Sequence, residues 1–225
     1  MNDRPEAHDR TPASHAGKLI VFEGPDGVGK STLAAAASEQ MTDAGVEHDK
    51  MSFPGRRTNT LGALVYEMHH DPERYRISEV TELARQTLHI AAHLDVVERT
   101  IRPALKGGRH VILDRFWWST WVYGRADGVQ PELLEPLLEA ERRLWHPHEP
   151  AAVVLVGRDT PMDRPEEVPD RWCRLVDEYR QLAGLRAGHH RVHHLDNEGS
   201  VDDARGEVRR LLEELDMVPS GGNLS

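Results

Sequence analysis

Cysteine is almost absent from this sequence, since Cys173 is the only one in 225 residues. No disulfide can therefore form within the chain, which favours a reducing compartment such as the cytoplasm. Long hydrophobic runs are absent too, because no stretch approaches the roughly 20 apolar residues that a membrane-spanning helix needs. The N-terminus also lacks the apolar segment of a signal peptide. We predict a cytoplasmic protein that has no membrane partner.

Positive charge is in deficit. The sequence has 28 lysines and arginines against 38 aspartates and glutamates, which gives a formal net charge of −10. A protein of this sign does not attract nucleic acid or anionic lipid as a whole, so we predict neither as a partner. Affinity for phosphate, where it exists, must come from a few local cations.

The length of the chain suits one domain. Residues 1–16 are polar and contain two prolines, and the C-terminal end is rich in glycine and serine. Such segments bury too little apolar surface to fold. We predict a disordered leader over residues 1–16, one folded domain over residues 17–217 and a flexible tail over residues 218–225.

Short apolar runs alternate with segments of helical periodicity. The predicted strands are 18–23, 46–53, 110–114, 151–156 and 191–195. The predicted helices are 31–44, 61–70, 77–105, 131–144, 169–185 and 201–215. Strands that alternate with helices form a parallel sheet that is covered on both faces. We therefore predict an α/β fold, a three-layer αβα sandwich around a five-stranded parallel sheet.

A glycine-rich segment joins the first predicted strand to the first predicted helix. It fits the pattern G-x-x-x-x-G-K-[ST] at every fixed position. Glycines let successive backbone N–H groups point at an anion, and the following helix adds the positive end of its dipole. We predict that the segment binds ATP, with Lys30 on the β and γ phosphates and Ser31 as a ligand of Mg²⁺. The predicted nucleotide-binding residues are Gly24, Pro25, Asp26, Gly27, Val28, Gly29, Lys30, Ser31 and Thr32.

Asp114 ends the third predicted strand, and Arg115 follows it. In a parallel sheet, this position lies at the same edge as the glycine-rich segment. An aspartate there can bind Mg²⁺, and an arginine can bind phosphate through two parallel hydrogen bonds. An Asp-Arg pair after a strand is equally typical of a helix cap with its ion pair. These residues alone leave both interpretations open.

Three segments resemble the thymidylate kinase family. They are residues 22–32, the pattern Asp114-Arg115-Phe116-x-x-Ser119, and residues 53–58 followed by Gly62. The last is similar to the family's loop after the second strand. The resemblance covers about residues 18–215. It implies a P-loop kinase fold, transfer of the γ-phosphoryl group of ATP to a nucleoside monophosphate, Mg²⁺ as a cofactor, and a homodimer.

The resemblance also implies roles for residues at matching positions. Asp26 would bind the 3′-hydroxyl of the acceptor sugar, and Arg56 or Arg57 its 5′-phosphate. Arg115 would be a second arginine on that phosphate, and Asp114 would belong to the Mg²⁺ shell. The predicted acceptor-binding residues are Asp26, Phe53, Arg56, Arg57, His89, His93, Arg115, Ser119 and Tyr123. The predicted catalytic residues are Lys30, Asp114, Arg115 and Arg164, and the predicted metal ligands are Ser31 and Asp114.

The expected base and sugar contacts follow the family only in part. Tyr123 stands where the family has an aromatic residue against the sugar 2′ carbon, so the resemblance implies a deoxynucleotide. His89 replaces the family's stacking phenylalanine, and His93 replaces the arginine that reads the base. Histidine can still stack and form hydrogen bonds, but it offers fewer donors than a guanidinium. The acceptor is therefore expected to be dTMP-like or a related or modified nucleotide.

Three tryptophans lie close together at positions 117, 118 and 121, in a chain that has only five. Two interpretations are open. They form a stacking wall for a base, or they pack a helix onto the sheet, since tryptophan buries a large area wherever it occurs.

The segment after the fourth predicted strand is short for the lid that closes over ATP in this family. The glycine-rich segment is the phosphate loop of this family. When that loop has glycine at the position of Gly27, the family's lid supplies a catalytic arginine. Arg164 is the first choice for that role, and Arg158 and Arg171 come next. A solvated surface arginine is the alternative for each of them.

Two other functions are compatible with the sequence. The first is a kinase of an unphosphorylated nucleoside or another small hydroxyl acceptor, which would need a base such as Glu23 or Asp114. The second is a switch that binds ATP without an acceptor. The arginines at 56 and 57 favour a phosphorylated acceptor, because a neutral one would not require them.

Overall fold

The computed structural model describes residues 16–162, 169–186 and 188–220. Five strands form a parallel sheet in the order β2-β3-β1-β4-β5. The strands are β1 (Leu19–Glu23), β2 (His48–Ser52), β3 (His110–Asp114), β4 (Ala152–Gly157) and β5 (Val192–Asp196). The helices are α1 (Lys30–Asp43), α2 (Leu61–His70), α3 (Glu82–Val96), α4 (Arg102–Lys106), α5 (Trp117–Ala126), α6 (Pro131–Trp145), α7 (Pro169–Arg186) and α8 (Val201–Glu214). The predicted five-stranded parallel α/β fold is confirmed.

Alternate side chains of β1 enter two apolar clusters, one on each face of the sheet. Leu19 and Val21 belong to a cluster with side chains of α3 to α7. Ile20 and Phe22 belong to a second cluster with side chains of α1 and α8. All four are at most 2% exposed. A strand that is buried on both faces reads as a continuous apolar run, which is why the sequence predicted it clearly.

The register of the sheet brings three loops to one edge. Phe22 of β1 pairs with Asp114 of β3, and Ser52 of β2 pairs with the same Asp114. The strands are parallel, so β1, β2 and β3 end side by side. The loops that follow them therefore start together, and they carry the glycine-rich segment, the Phe53 segment and Arg115.

The prediction of one helix over 77–105 is wrong at its start, and the observed helix is interrupted near its end. It begins at Glu82 because the hydroxyl of Thr81 caps it by accepting a hydrogen bond from the N–H of Ala84 at 3.3 Å. A π-helical turn at Val97–Ile101 then joins α3 to α4. The predicted strand 46–53 is also shorter than expected, since β2 spans His48–Ser52.

Helix α5 was not predicted from the sequence. It begins at Trp117, and the residue before it, Phe116, forms no side-chain cap. The cap comes from β1 instead, where the carboxylate of Glu23 accepts the N–H groups of Phe116 and Ser119. A cap from a distant strand leaves no local signal, so the start of this helix could not be recognised.

The predicted terminal segments lie largely outside the described residues, which begin at 16 and end at 220. Val218, the first residue of the predicted tail, is 5% exposed and packs in the cluster with α1 and α8. Within the described ranges, no helix combines the length and the apolar character that crossing a membrane requires.

Candidate active site

The loop between β1 and α1 has the backbone of an anion-binding loop. Gly24, Gly27 and Gly29 have φ angles of 141°, 80° and 92°, which residues with a side chain rarely adopt. A Cβ on Gly24 would lie 2.4 Å from the carbonyl oxygen of Val156, so only glycine permits this approach to β4. No described side chain caps α1, which begins at Lys30. Its first N–H groups are thus available to an anion.

Lys30 is buried beside this loop. It is 5% exposed, and its Nζ donates a hydrogen bond to the carbonyl oxygen of Pro25 at 2.6 Å. Burial is the main reason that the pKa of Lys30 falls to about 7. The charge of Arg115 acts in the same direction, whereas Asp26 and Asp114 oppose it. A phosphate beside Nζ would favour the charged form, so this environment suits an anionic ligand.

Ser31 and Asp114 lie in contact where the phosphate loop meets the end of β3. The Oγ of Ser31 donates a hydrogen bond to Oδ2 of Asp114 at 2.5 Å. The other oxygen, Oδ1, is buried and has no hydrogen-bond partner among the described residues. Buried polar atoms nearly always have a partner, so Oδ1 indicates that a ligand belongs here. The described residues hold no cluster of three His, Cys, Asp or Glu side chains fit for a metal, so a cation here would need oxygens from its ligand or from water.

Arg115 connects the phosphate loop to α5. Its Nη2 donates to Oδ1 of Asp26, and its Nη1 donates to Oγ of Ser119 at 3.0 Å. The guanidinium carbon lies 5.2 Å from the centroid of the Tyr123 ring, whose hydroxyl accepts a hydrogen bond from the N–H of Asp26 at 3.0 Å. Burial raises the pKa of Tyr123 above its ordinary value, which keeps the hydroxyl protonated. Four of the predicted acceptor-binding residues thus form one network.

Glu23 lies beneath this network with no exposed surface. Its Oε1 accepts the N–H groups of Phe116 at 2.7 Å and Ser119 at 3.1 Å. Its Oε2 accepts the hydroxyls of Ser119 at 2.7 Å and Tyr179 at 3.0 Å. Burial raises the pKa of Glu23, and the charge of Arg115 and these donors oppose the shift. Because both oxygens are engaged, Glu23 holds α5 in place and is not placed to act as the base that a hydroxyl acceptor would need.

Lys30, Asp114 and Arg115 are among the residues that line a cavity of about 860 Å³ at the edge where β1, β2 and β3 end. Six of its lining residues are lysine or arginine, and four are aspartate or glutamate. The cations are Lys30, Lys50, Arg56, Arg85, Arg115 and Arg171, and the acids are Asp26, Glu82, Asp114 and Asp127. An excess of cations in a protein of net charge −10 provides local affinity for phosphate.

The two arginines after β2 are placed differently. The guanidinium of Arg56 lies 4.4 Å from the centroid of the Tyr66 ring and lines the cavity. Both arginines are exposed, but the side chain of Arg57 does not line the cavity. Phe53, which precedes this loop, is 5% exposed and does line it. The structure therefore brings Arg56, and not Arg57, to the site.

Histidines from α2 and α3 form another part of the cavity wall. Nε2 of His89 lies 3.2 Å from Nδ1 of His69. Burial in the wall lowers the pKa of His89 to about 3 and that of His69 to about 4, so both rings are neutral near pH 7. His93 is 2% exposed and stacks on Phe53, with ring centroids 4.0 Å apart. The wall therefore offers neutral aromatic rings that can stack or form hydrogen bonds.

Comparison with known proteins agrees with this geometry. The thymidylate kinase family model matches residues 22–159. The thymidylate kinase of Symbiobacterium thermophilum is 34% identical over 204 residues, which cover 88% of this chain and 93% of the relative. That of Ruegeria pomeroyi is 31% identical over 210 residues, which cover 88% and 96%. The chain belongs to the thymidylate kinase family.

A solved structure supports the fold. The crystal structure of thymidylate kinase from Ehrlichia chaffeensis matches with a TM-score of 0.68 at 22% identity, over 88% of this chain and 99% of that one. Membership of the thymidylate kinase family makes this chain a phosphotransferase, a nucleoside monophosphate kinase. This outcome confirms the resemblance that the sequence motifs indicated.

The tryptophans of α5 do not form a wall for a thymidylate kinase substrate. Trp117 and Trp118 are 2% and 0% exposed and belong to the apolar core. Trp121 is partly buried and packs against the same cluster. None of the three lines the cavity. The stacking-wall interpretation is therefore wrong, and these residues pack α5 against the sheet.

Two of the three candidate lid arginines, Arg158 and Arg171, lie within the described residues. Arg164, the first choice for the catalytic role, lies outside the described residues. Arg158 donates to the carbonyl oxygen of Asn197 and does not line the cavity. Arg171 does line it, and its Nε and Nη2 donate to the two carboxylate oxygens of Asp127 at 2.9 Å each. Among the described candidates, Arg171 is the arginine that reaches the site.

Sequence reasoning missed several cavity residues on α3. Glu82 and Gln86 line the cavity with His89 and His93. These four are spaced by three or four positions, so they share one face of the helix. That spacing was visible once His89 was singled out. The part played by His69, from α2, depends on how α2 packs on α3, and no local pattern shows it.

Proposed function

We propose that the chain transfers the γ-phosphoryl group of MgATP to dTMP or a closely related deoxynucleoside 5′-monophosphate. One observation carries the proposal: the phosphate loop with Lys30 shares a cavity with Arg56 and Arg115, which lie on two other loops. Two separate sets of cations suit two phosphorylated ligands. The relatives are named thymidylate kinases, which supports dTMP as the acceptor.

The residues of the phosphate loop fit ATP and Mg²⁺. Lys30 would contact the β and γ phosphates, and the N–H groups at the start of α1 would bind phosphate oxygens. Ser31 and Asp114 would hold the ion, since Oδ1 of Asp114 is a buried carboxylate oxygen in need of a partner. Mg²⁺ commonly binds one or two carboxylates together with phosphate oxygens and water. When bound, it would neutralise part of the charge on the phosphates.

The acceptor would lie between Arg56 and Arg115. The attack of one phosphate on another brings two anions together, and fixed arginines reduce that repulsion. Asp26 and Tyr123 are joined by a hydrogen bond of 3.0 Å, so both are held in place to contact the sugar. The proposed chemistry needs no covalent intermediate, since positioning and charge supply most of the catalysis in phosphoryl transfer.

A panel of acceptors tests the proposal. ATP consumption is measured with dTMP, its ribose analogue ribothymidine 5′-monophosphate, dUMP, dCMP, dAMP, dGMP and thymidine, each at the same concentration. We expect dTMP to be converted to dTDP and thymidine to be left unchanged. Conversion of thymidine alone would favour a kinase of neutral nucleosides. Slow ATP hydrolysis that no added compound accelerates would favour a switch without an acceptor.

The neighbouring arginines after β2 provide a matched pair. We expect Arg56→Ala to lower kcat/KM for the acceptor by about 10- to 100-fold, because a charge-assisted contact to phosphate contributes about 1.5–3 kcal/mol. Arg57→Ala is expected to change it by less than about threefold, because that side chain does not line the cavity. Steady-state kinetics with varied dTMP at saturating ATP measure both. Equal losses in the two variants would contradict the placement of Arg56.

A further inference from the structure

His93 is held in the cavity wall by two contacts that fix its ring. One face stacks on Phe53 at a centroid distance of 4.0 Å and an interplanar angle of 21°. Its Nδ1 lies 3.1 Å from Oε1 and 3.2 Å from Oε2 of Glu141. The stack sets the plane of the ring, and the carboxylate sets which ring edge faces α6. The opposite edge, with Nε2, is left to face away from Glu141.

Glu141 determines where the proton of this ring lies. It projects from α6, has no exposed surface, and its Oε1 also accepts the indole N–H of Trp145 at 3.2 Å. An ionised carboxylate can only accept hydrogen bonds. Nδ1 of His93 must therefore carry a hydrogen. A buried carboxylate without such donors would destabilise the fold, so the N–H groups of His93 and Trp145 stabilise Glu141 at this position.

Nε2 of His93 is the atom that remains for a ligand. It has no hydrogen-bond partner among the described residues, and the ring lines the cavity. When Nδ1 carries the hydrogen of a neutral imidazole, Nε2 presents a lone pair. A ligand that complements this nitrogen must bring an N–H group to it.

We infer that Nε2 of His93 accepts a hydrogen bond from the N3–H group of the acceptor base, and that Glu141 is the positioning residue that keeps this nitrogen an acceptor. The inference rests on the proposed function, because the pairing edge of thymine has one N–H donor, at N3, between two carbonyl oxygens. Uracil has the same edge. Cytosine has a lone pair at N3, and N3-methylthymine has a methyl group there. Both would leave Nε2 without a donor at N3 of the base.

The inference predicts discrimination at a single position of the base. A site built to form a hydrogen bond rejects an analogue that lacks the partner, because its own polar group is left unsatisfied. We expect kcat/KM at saturating ATP to be about 30-fold or more lower for N3-methyl-dTMP and for dCMP than for dTMP. The value for dUMP is expected to lie much nearer to that for dTMP. This pattern is measured first on the unmodified protein.

Variants then test the two residues. His93→Phe keeps a ring against Phe53 but removes the lone pair, so we expect the preference for dTMP over N3-methyl-dTMP to fall to about threefold or less. Glu141→Gln keeps an oxygen that can accept the Nδ1 hydrogen, so most of the preference is expected to remain. The double variant His93→Phe/Glu141→Gln also removes the buried charge of Glu141 and keeps an oxygen for the indole N–H of Trp145, which protects the fold if His93→Phe alone is unstable. It is expected to behave as His93→Phe does.

A second histidine–glutamate ion pair, away from the cavity, serves as the control. Nδ1 of His190 lies 3.1 Å from Oε2 of Glu149, and neither residue lines the cavity described above. Glu149→Leu is expected to leave the preference for dTMP over N3-methyl-dTMP unchanged. A loss of preference in this control would mean that the ratio reports on general stability and would overturn the inference.

The outcomes separate the inference from the function on which it rests. If dTMP is phosphorylated but N3-methyl-dTMP or dCMP is used as well, only the role of His93 is overturned. The same holds if His93→Phe and the double variant keep the full preference. If no monophosphate is phosphorylated, the proposed function and the inference both fail.

Discussion

Replacing Lys30 by methionine is expected to reduce turnover by about 10²- to 10³-fold or more and, at the same time, to stabilise the fold. The loss follows from its position beside the phosphate loop, where its Nζ is the cation nearest to the expected β and γ phosphates. Removing one pre-positioned donor from such a site usually costs about 10²- to 10³-fold in kcat. Methionine has a similar length and no charge, so the loop can keep its backbone.

The gain in stability follows from the burial of Lys30. Its pKa falls from 10.5 to about 7 in the folded protein, and each pKa unit corresponds to about 1.4 kcal/mol. Keeping this side chain charged therefore costs the folded state about 5 kcal/mol at or below pH 7. Methionine removes that cost but also the hydrogen bond to Pro25. We expect a net increase of about 2–4 kcal/mol in the free energy of unfolding.

The pH dependence of this gain has a definite sign. Between pH 7 and 10.5 the folded protein holds fewer protons on Lys30 than the unfolded chain does, so its stability rises with pH in that window. The penalty is complete below pH 7 and is relieved as the pH rises. The advantage of Lys30→Met over the unmodified protein is thus expected to be about 2 kcal/mol smaller at pH 9 than at pH 7. Urea unfolding at the two pH values measures it.

Lys18→Met is the control for both effects. Nζ of Lys18 also donates to a carbonyl oxygen, that of Leu215 at 2.6 Å, but its side chain is 38% exposed and outside the cavity. We expect full turnover and no pH-dependent gain in stability. If Lys30→Met kept more than about a tenth of the activity, or if the two lysine variants gained equal stability, the assigned role of Lys30 would be wrong.

Local patterns predicted the parts of the site that depend on one segment of chain. The phosphate loop is such a part, because its glycines, Lys30 and Ser31 lie in one stretch between a buried strand and a helix. The same applies to Asp114, the last residue of β3, and to Arg115, which follows it. In each case one short segment contains both the functional side chains and the signal for the secondary structure, so the sequence predicts the motif and its structural setting together.

Features that depend on contacts between distant segments were not predicted. The cap of α5 comes from Glu23, which is 93 positions from Phe116 in the chain. The same contact decides which way α5 faces. It directs Trp118 into the core, and Ser119 and Tyr123 line the cavity. The sequence alone showed that tryptophans were concentrated there, but not which side of the helix would meet a ligand.

The choice between Arg56 and Arg57 also depended on the three-dimensional structure. Adjacent residues in a loop point in different directions, and only the stack of Arg56 on Tyr66 of α2 shows which one enters the cavity. The importance of Glu141 has the same origin, because no described residue of α6 lines the cavity and Glu141 reaches the cavity wall through its contact with His93. A pattern within α6 would mark Glu141 only as an acidic residue on a helix.

Arg115→Met is expected to lower kcat/KM for the acceptor by about 10³-fold, through a higher KM for dTMP and a lower kcat. The guanidinium is the group that joins Asp26 to Ser119 and lies over Tyr123, so its removal deprives the acceptor phosphate of a cation and releases the residues that would hold the sugar. An interaction that strengthens in the transition state affects kcat as well as KM. Arg115→Lys keeps the charge but not the two-sided geometry, and we expect it to recover only part of the loss.

The effect is separated from general damage to α5 by Arg125→Met. Arg125 lies on the same helix, its side chain is 27% exposed against 19% for Arg115, and it contacts Glu178 and the carbonyl oxygen of Val129 outside the cavity. We expect this control to keep the KM for dTMP within about twofold. Kinetics that vary each substrate in turn, with circular dichroism to verify folding, compare the variants. An unchanged KM for dTMP in folded Arg115→Met would show that Arg115 only supports the structure. Removal of a residue that binds the acceptor phosphate must weaken the binding of the acceptor.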